Sequence, residues 1–270
     1  MKKILFFETN EFTGATRVTR TLAKTTPKEY EIAFAKVSDN VKEDIESAIA
    51  IEKPDILFSS FIHLNPDVIL IGKEHSLKVI IRNDYNLIDV SQDVRERAKT
   101  TYPLADEIIA QIEQMREDLL NDFVLDSSKV KVIENPLDEE DILTKAKGPN
   151  PFPDNGCFHF LWVGRKDPIK DIATLQRAFE LVHEECKKTD LTLVSNDPNP
   201  YLWMKYADCL VISSRSEASP NVLREALFLG TPVISTDCSQ TVRQLLPPHR
   251  IVPVHNPEAM ACAMIEMLRS

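Results

Sequence analysis

The segment SSRSEASPNVLREALFLGTPVIST, residues 213–236, decides the fold of this chain. It predicts a helix with Ser219 as N-cap and Pro220 in the first helical position, because a serine hydroxyl accepts a first-turn hydrogen bond and proline lacks the N–H that this position leaves unused. Gly230 suits the left-handed residue that ends a helix, and residues 231–236 then indicate a strand. The order of loop, helix, tight turn and strand is typical of an α/β sheet.

The first turn of this helix contains no carboxylate, although Glu217 and Glu225 lie on either side of it. Helices usually place Asp or Glu in that turn, at the positive end of the helix dipole. Here the positions are Pro220, Asn221 and Val222. The pattern predicts that the backbone N–H groups of the last two bind an anion from outside the chain. An ordinary capped helix of an α/β sheet is the alternative interpretation.

Composition limits the class of protein. The chain has 270 residues, of which 43% are hydrophobic, and a formal net charge of −10. The charge argues against a general affinity for nucleic acid or anionic lipid. No apolar run approaches the roughly 20 residues of a membrane span, and we expect no signal peptide. The five cysteines lack metal-ligand spacing and suit buried thiols in a reducing compartment. We expect a cytoplasmic protein without a metal site, for which peripheral membrane contact stays open.

Proline and glycine divide the chain near residue 150. The segment from Gly148 to Gly156 is too rich in proline for a helix or a central strand. We therefore predict a first domain of residues 1–147, a linker of residues 148–156 and a second domain of residues 157–270. Each domain alternates β-rich runs with helical patterns, which predicts two doubly wound parallel sheets. Such sheets bind ligands beyond the carboxyl ends of their strands.

Positive charge is concentrated in FLWVGRKDPIKDIATLQRAFELV, residues 160–182. Arg165 follows Gly164 at the end of a predicted strand, and Lys170 precedes the next helix. Two cations near a helix start with open N–H groups suit a diphosphate. Solvated surface cations are the alternative. The diphosphate interpretation is favoured because both cations and the helix start are expected at the same edge of one sheet.

Together these motifs resemble a retaining glycosyltransferase of the GT-B fold, in the group 1 family that includes sucrose, glycogen and lipopolysaccharide-type hexosyltransferases. The motifs are Gly164-Arg165 with Lys170, then Glu217 and Glu225 with seven residues between them, then Gly230-Thr231-Pro232-Val233. The resemblance implies two Rossmann-like domains that face each other across a cleft. The second domain is expected to be truncated, because residues 190–197 lead almost directly to residues 201–214 and omit a strand and a helix that are common in the family.

The first half resembles the family at two places. Thr13-Gly14-Ala15 is similar to its glycine-rich loop after the first strand. Arg82-Asn83-Asp84 stands where many members have a histidine–aspartate pair, which makes Asn83 and Asp84 acceptor-side candidates. His63 is a weak candidate for a catalytic histidine and fits a strand-end residue better, so no catalytic histidine is assigned.

The resemblance also implies roles for individual residues. The catalytic set is Glu217, which would hold the transferred sugar, with Arg165 and Lys170, which would neutralise the diphosphate leaving group. Glu225 would bind the ribose hydroxyls. The full nucleotide-sugar-binding set is Gly14, Gly164, Ser219, Pro220, Asn221, Val222 and Glu225. Asp171 replaces a glycine that is usual after the lysine, and it brings negative charge near the expected phosphate site.

The implied activity is a metal-independent, retaining transfer of a hexose from a UDP- or GDP-sugar to a glycan or lipid-linked acceptor, as in polysaccharide biosynthesis. No cofactor and no nucleic-acid partner are expected. One alternative is a non-catalytic nucleotide-sugar-binding or assembly subunit of the same fold, which the missing elements and Asn83 favour. A nucleotide-sugar epimerase is the other. The presence of both Glu217 and Glu225 favours the transferase.

Overall fold

The chain folds into two compact units in a computed structural model, Met1–Pro136 and Leu137–Ser270. The residues that the structure describes are 1–10, 14–84, 86, 89–195 and 197–269. Each unit contains one sheet, and every strand pairing in both sheets is parallel. The predicted α/β class with two parallel-sheet domains is therefore confirmed.

The first unit has a six-stranded sheet. Its strands are β1 (Lys2–Thr9), β2 (Tyr30–Val37), β3 (Ile56–Ser59), β4 (Lys78–Arg82), β5 (Glu107–Ala110) and β6 (Val130–Val132). Its helices are α1 (Gly14–Thr25), α2 (Val41–Glu52), α3 (Asn65–Glu74), α4 (Gln92–Thr101) and α5 (Glu113–Asp122). The strand order is β2-β1-β3-β4-β5-β6, so the winding direction reverses between β1 and β3.

The second unit has a five-stranded sheet. Its strands are β7 (Phe158–Val163), β8 (Thr189–Val194), β9 (Cys209–Ile212), β10 (Val233–Thr236) and β11 (Ile251–Val252). Its helices are α6 (Glu139–Lys145), α7 (Ile172–Glu185), α8 (Tyr201–Tyr206), α9 (Asn221–Phe228), α10 (Gln240–Leu245) and α11 (Pro257–Leu268). The strand order is β11-β10-β9-β7-β8, and the winding reverses between β7 and β9. Ligands of doubly wound sheets bind at such switch points.

Alternating side chains bury both faces of the second sheet. Leu161 and Leu210 lie in a core that includes Leu223 and Ala226 of α9. Their neighbours along the strands, such as Trp162, lie in a separate core with α7 and α11. Successive residues of a strand point to opposite faces, so apolar residues at every position are what a sheet with two covered faces requires. The second sheet is therefore covered on both faces, as the prediction of a doubly wound sheet requires.

The second sheet is short, as predicted. Among the described residues, no strand separates β8 from β9, and α8 alone lies between them. β8 therefore forms the outer strand of this sheet next to β7.

The division of the chain differs from the predicted one. The structure places the boundary after Pro136, so α6 and the proline-rich segment 148–156 belong to the second unit. The physical reason is burial: Phe152 lies in the second unit's core and stacks on His159 with ring centroids 4.7 Å apart. The hydroxyl of Tyr206 also donates a 2.8 Å hydrogen bond to the carbonyl of Gly148. Proline keeps this segment from forming a helix or strand, but the segment still packs against the core of the second unit.

Helix α9 ends as the sequence predicts. Gly230 has φ +81°, which lies in the left-handed region. Its N–H donates to the carbonyl of Leu227 at 3.1 Å, and the N–H of Thr231 donates to the carbonyl of Ala226 at 2.9 Å. This pair of hydrogen bonds is a Schellman motif, and it turns the chain directly into β10.

We predict that Gly230→Ala lowers the free energy of unfolding by about 1–2 kcal/mol, because an L side chain in the left-handed region is strained. A Cβ at Gly230 meets no atom within 4 Å, so the cost is conformational and not steric. Urea unfolding followed by tryptophan fluorescence measures it, since both tryptophans, Trp162 and Trp203, lie in the second unit. Gly230→Asn is the control and should cost less, because asparagine tolerates this conformation better. Equal stability of Gly230→Ala and the natural protein would contradict the prediction.

Candidate functional site

The turn after β7 brings Lys170 to the edge of the second sheet. Residues Pro168–Lys170 form a short 3-10 helix, and the carboxylate of Asp167 caps it by accepting the N–H of Ile169 at 3.0 Å. The hydroxyl of Ser213, after β9, donates to the carbonyl of Lys170 at 2.7 Å. Loops from the two strands at the switch point are thus joined by hydrogen bonds to the backbone.

Lys170 and Glu217, both predicted site residues, form an ion pair between Nζ and Oε1. The hydroxyl of Ser214 donates to the same carboxylate oxygen at 2.7 Å. The lysine side chain is 21% exposed and the glutamate side chain 16%, so both charges are only partly hydrated. Ser214 was not among the predicted residues, although its place directly after a buried strand is a usable signal.

A buried thiol lies beside this ion pair. The carbonyl of Cys238 accepts the N–H of Glu217 at 2.9 Å. Burial raises the pKa of the Cys238 thiol to about 12, and the charge of Glu217 adds to that shift. The thiol therefore stays protonated near neutral pH and is not a nucleophile.

Helix α9 starts one residue later than predicted. Its N-cap is Pro220, in extended conformation, and its first helical residue is Asn221. In the described part of the chain, this N-cap residue makes no side-chain hydrogen bond to the first turn of the helix. The prediction of Ser219 as N-cap is therefore wrong, because the extended Pro220 places Ser219 before the helix, where its hydroxyl accepts from Thr241 at 3.3 Å. The absence of an acidic residue from the first turn stands, since the helix begins at Asn221 and Val222 follows it.

Glu225 lies in a different environment from Glu217. It is 5% exposed, and the hydroxyl of Tyr201, itself buried, donates to its Oε1 at 3.4 Å. Tyr201 was not predicted, because nothing in the sequence of α8 links it to a residue in α9. The hydrogen bond from Tyr201 orients the Glu225 carboxylate. Ribose binding by this carboxylate stays a prediction.

Asp171 connects three segments of the second unit. Its carboxylate accepts from Thr174 Oγ1 at 2.9 Å and lies 3.5 Å from Nε of Arg215 and 2.7 Å from Nδ1 of His255. Burial raises the pKa of Asp171, but the hydrogen bonds from Thr174 and Arg215 outweigh it, so the pKa is lowered overall. The negative charge expected near the phosphate site is thus balanced within the protein.

Gly164 and Arg165 follow β7 directly. Arg165 is exposed, and the N–H of Gly164 donates to the carbonyl of Val194 at 3.1 Å. A Cβ on Gly164 would lie 3.0 Å from Cζ2 and 3.1 Å from Cη2 of Trp162. This contact gives a packing reason for glycine here, and its predicted role in nucleotide-sugar binding remains untested.

The predicted residues of the first unit lie at strand and helix ends. Gly14 begins α1, while Thr13 lies outside the described residues. Asn83, directly after β4, is fully buried: its Oδ1 accepts from the Tyr102 hydroxyl at 3.1 Å. Asp84 accepts the N–H of Ile62 at 2.9 Å.

Arg82 and His63 lie near the same strand ends of the first unit. Arg82 is 1% exposed and donates to Oδ1 of Asn135, and burial lowers the pKa of its guanidinium to about 10. His63, which is exposed, lies between β3 and α3. The buried network around Asn83 was not predicted, because its partners come from residues distant along the chain.

The described residues contain no cluster of three or more His, Cys, Asp or Glu side chains that could hold a metal ion. None of the helices among these residues has the length and apolar character that crossing a membrane requires.

Comparison with known proteins agrees with this geometry. Residues 158–270 match the model of the family described as glycosyl transferases group 1. An uncharacterized glycosyltransferase of Methanocaldococcus jannaschii is 28% identical over 181 residues, 56% of this chain and 44% of that protein. The N-acetylgalactosamine-N,N'-diacetylbacillosaminyl-diphospho-undecaprenol 4-alpha-N-acetylgalactosaminyltransferase of Campylobacter jejuni is 28% identical over 166 residues, 53% of this chain and 45% of that protein. The matches thus span less than half of either relative.

Solved structures extend the likeness to both units. HepE from Anabaena, solved with UDP and glucose, has a TM-score of 0.79 at 13% identity, covering 100% of this chain and 90% of that one. At this identity the likeness shows the fold alone, and it identifies the fold as GT-B. The expected GT-B fold is confirmed, and the match to the glycosyl transferases group 1 model lies within the second unit.

We predict that Gly164→Ala displaces Trp162, which is 2% exposed, and lowers the free energy of unfolding by about 1–3 kcal/mol through overpacking. In a Trp203→Phe background the emission spectrum reports Trp162 alone and should change. Gly156→Ala is the control for the emission spectrum alone: a Cβ there meets no atom within 4 Å and should leave the emission as it was, although the left-handed φ of +66° makes alanine strained at this position. An unaltered spectrum of Gly164→Ala would show that Trp162 does not restrict this position.

Proposed function

We propose that this chain is a retaining glycosyltransferase that moves a hexose from a nucleoside diphosphate sugar to a glycan or lipid-linked acceptor. The observation that carries the proposal is the ion pair of Lys170 with Glu217 at the switch point of the second sheet. The pair places Lys170, a cation that would bind a diphosphate, next to Glu217, a carboxylate that would bind sugar hydroxyls. The uncharged start of α9 follows Glu217 by only a few residues.

The reaction needs charge stabilisation at the leaving group. The bond between the anomeric carbon and the diphosphate oxygen breaks, and its electron pair leaves with the nucleoside diphosphate. The acceptor hydroxyl oxygen bonds to the anomeric carbon, and its proton passes to the released diphosphate or to water. Lys170, Arg165 and the N–H groups of Asn221 and Val222 would stabilise the charge that develops on the diphosphate. Glu217 would orient the transferred sugar, and Glu225 would hold the ribose.

The comparisons support donor and acceptor classes. HepE is described with UDP and glucose, which favours a UDP-sugar over a GDP-sugar as the first donor to test. The Campylobacter relative is named for transfer onto a diphospho-undecaprenol-linked sugar, which favours a lipid-linked acceptor. Gly14, Asn83 and Asp84 remain the candidate acceptor-side residues of the first unit.

A second candidate is a subunit that binds a nucleotide sugar without transferring it. Asn83 favours this function, because this acceptor-side candidate has a fully buried side chain that accepts a hydrogen bond from Tyr102. Both candidates require the site of Lys170 and Glu217. They differ in whether a bound donor is consumed.

The decisive experiment is a donor panel. UDP- and GDP-hexoses are ranked by thermal shift, and each donor that binds is incubated with lipid-linked and crude glycan acceptors, with and without EDTA. We expect transfer or slow donor hydrolysis, an α-linked product from an α-linked donor, and undiminished activity in EDTA, because the proposed charge stabilisation uses only protein groups. Binding without any turnover would favour the non-catalytic subunit, an epimerised donor would identify an epimerase, and strict Mn²⁺ dependence would contradict the mechanism.

The two glutamates should divide donor binding from turnover. Glu225→Gln should weaken UDP binding by about tenfold or more with a smaller effect on kcat, because ribose contacts are similar in the ground and transition states. Glu217→Gln keeps an acceptor for Ser214 but removes the charge, and should mainly lower kcat. Tyr201→Phe is the comparison for Glu225→Gln: it removes the 3.4 Å contact but leaves the carboxylate, so it should weaken UDP binding less. Calorimetry with UDP and steady-state kinetics measure both effects, and unchanged values in both glutamate variants would show that the site is misplaced.

A further inference from the structure

The carboxylate of Asp171 is held by side chains from three separate parts of the chain. Thr174 lies in α7, Arg215 follows β9, and His255 precedes α11. The Asp171 side chain is only 4% exposed, whereas those of Arg215 and His255 are 48% and 54% exposed. A buried carboxylate is therefore fixed by two residues that reach it from the surface.

Asp171 and His255 both have left-handed backbone conformations, with φ of 45° and 55°. Non-glycine residues adopt this region at a cost, and Asp, Asn and His are the ones that enter it most often. Here the two left-handed residues contact each other, with Nδ1 of His255 2.7 Å from Oδ2 of Asp171. The contact supplies an interaction that offsets the cost at both positions.

Asp171 directly follows Lys170, so its orientation limits that of the lysine. On one side the turn is fixed to the segment after β9: the N–H of Arg215 donates to the carbonyl of Ile169 at 2.8 Å, and Ser213 donates to that of Lys170. On the other side the turn continues into α7 through the left-handed Asp171. His255 fixes that second side, from a loop that belongs to neither β7 nor β9.

We propose that Asp171 and His255 are positioning residues, and that their contact holds the turn in the conformation from which Lys170 reaches Glu217. His255 acts through Asp171, and neither residue requires contact with a substrate. The expected effect on donor affinity rests on the function proposed above. The expected effect on the position of Lys170 is independent of that function.

The test compares His255→Ala with His255→Asn and Asp171→Asn. Asparagine tolerates the left-handed region, and its side-chain amide can occupy the place of imidazole Nδ1, so His255→Asn should preserve the contact. His75→Ala is the matched control, because His75 forms an equally short contact, 2.7 Å to Glu46, with a similarly exposed side chain in the first unit.

The direct readout is the ¹⁵N-edited NMR signal of the Lys170 ammonium group, assigned by its loss in Lys170→Arg. We expect His255→Ala to shift or broaden this signal beyond detection and Asp171→Asn to perturb it. His255→Asn and His75→Ala should leave it as in the natural protein. An unchanged signal in both His255→Ala and Asp171→Asn would overturn the proposal, as would equal losses in His255→Ala and His75→Ala.

Affinity supplies the second readout. Calorimetry should show UDP binding weakened by at least about threefold in His255→Ala, with recovery in His255→Asn. With an active donor, KM should rise more than kcat falls. If no donor or nucleotide binds the natural protein, the proposed function fails while the NMR comparison still decides the positioning role. If UDP binds and His255→Ala leaves both its affinity and the Lys170 signal unchanged, the positioning role fails alone.

Discussion

The ion pair between Lys170 and Glu217 joins the loops that leave β7 and β9, and the geometry of the candidate site depends on it. Desolvation of two partly buried charges offsets much of their attraction, so such a pair contributes little to the stability of the fold. Its contribution is to place a cation at a defined point of the sheet edge. Ser214 completes the carboxylate's surroundings with a second hydrogen bond. A charge that is already oriented stabilises an anionic ligand without further reorganisation of the protein.

The two glutamates show how one short stretch of chain creates two carboxylates with different properties. Glu217 lies in a loop at the mouth of the switch point, where its negative charge is met by a lysine. Glu225 is a buried residue of α9, and the hydroxyl of Tyr201 donates to its carboxylate. The first carboxylate is therefore partly exposed in a loop and paired with a lysine, while the second is buried on a helix. This difference is what a division between sugar orientation and ribose recognition requires.

Local rules predicted the elements whose residues suffice to specify them. The predicted alternation of β-rich runs and helical patterns is present in both units, and Gly230 ends α9 in the expected conformation. The strand-end rule also brought Lys170 and Glu217 together, since residues that leave adjacent parallel strands must share an edge. Tertiary contacts decided the rest. The Asp171 cluster joins residues far apart in sequence, the Tyr201 contact crosses between two helices, and burial of Phe152 assigns a proline-rich segment to the second unit. None of these has a local sequence pattern.

The omitted strand has a consequence for how the molecule behaves in concentrated solution. β8 is the outer strand of the second sheet, and aggregation of sheets begins with pairing of outer strands between molecules. Charged residues oppose that process. Lys187 and Lys188 precede the strand, and Asp190 within it accepts a 2.7 Å hydrogen bond from Asn155. Electrostatic repulsion and desolvation at this edge disfavour strand addition between molecules, so the shortened sheet carries its own protection against self-association.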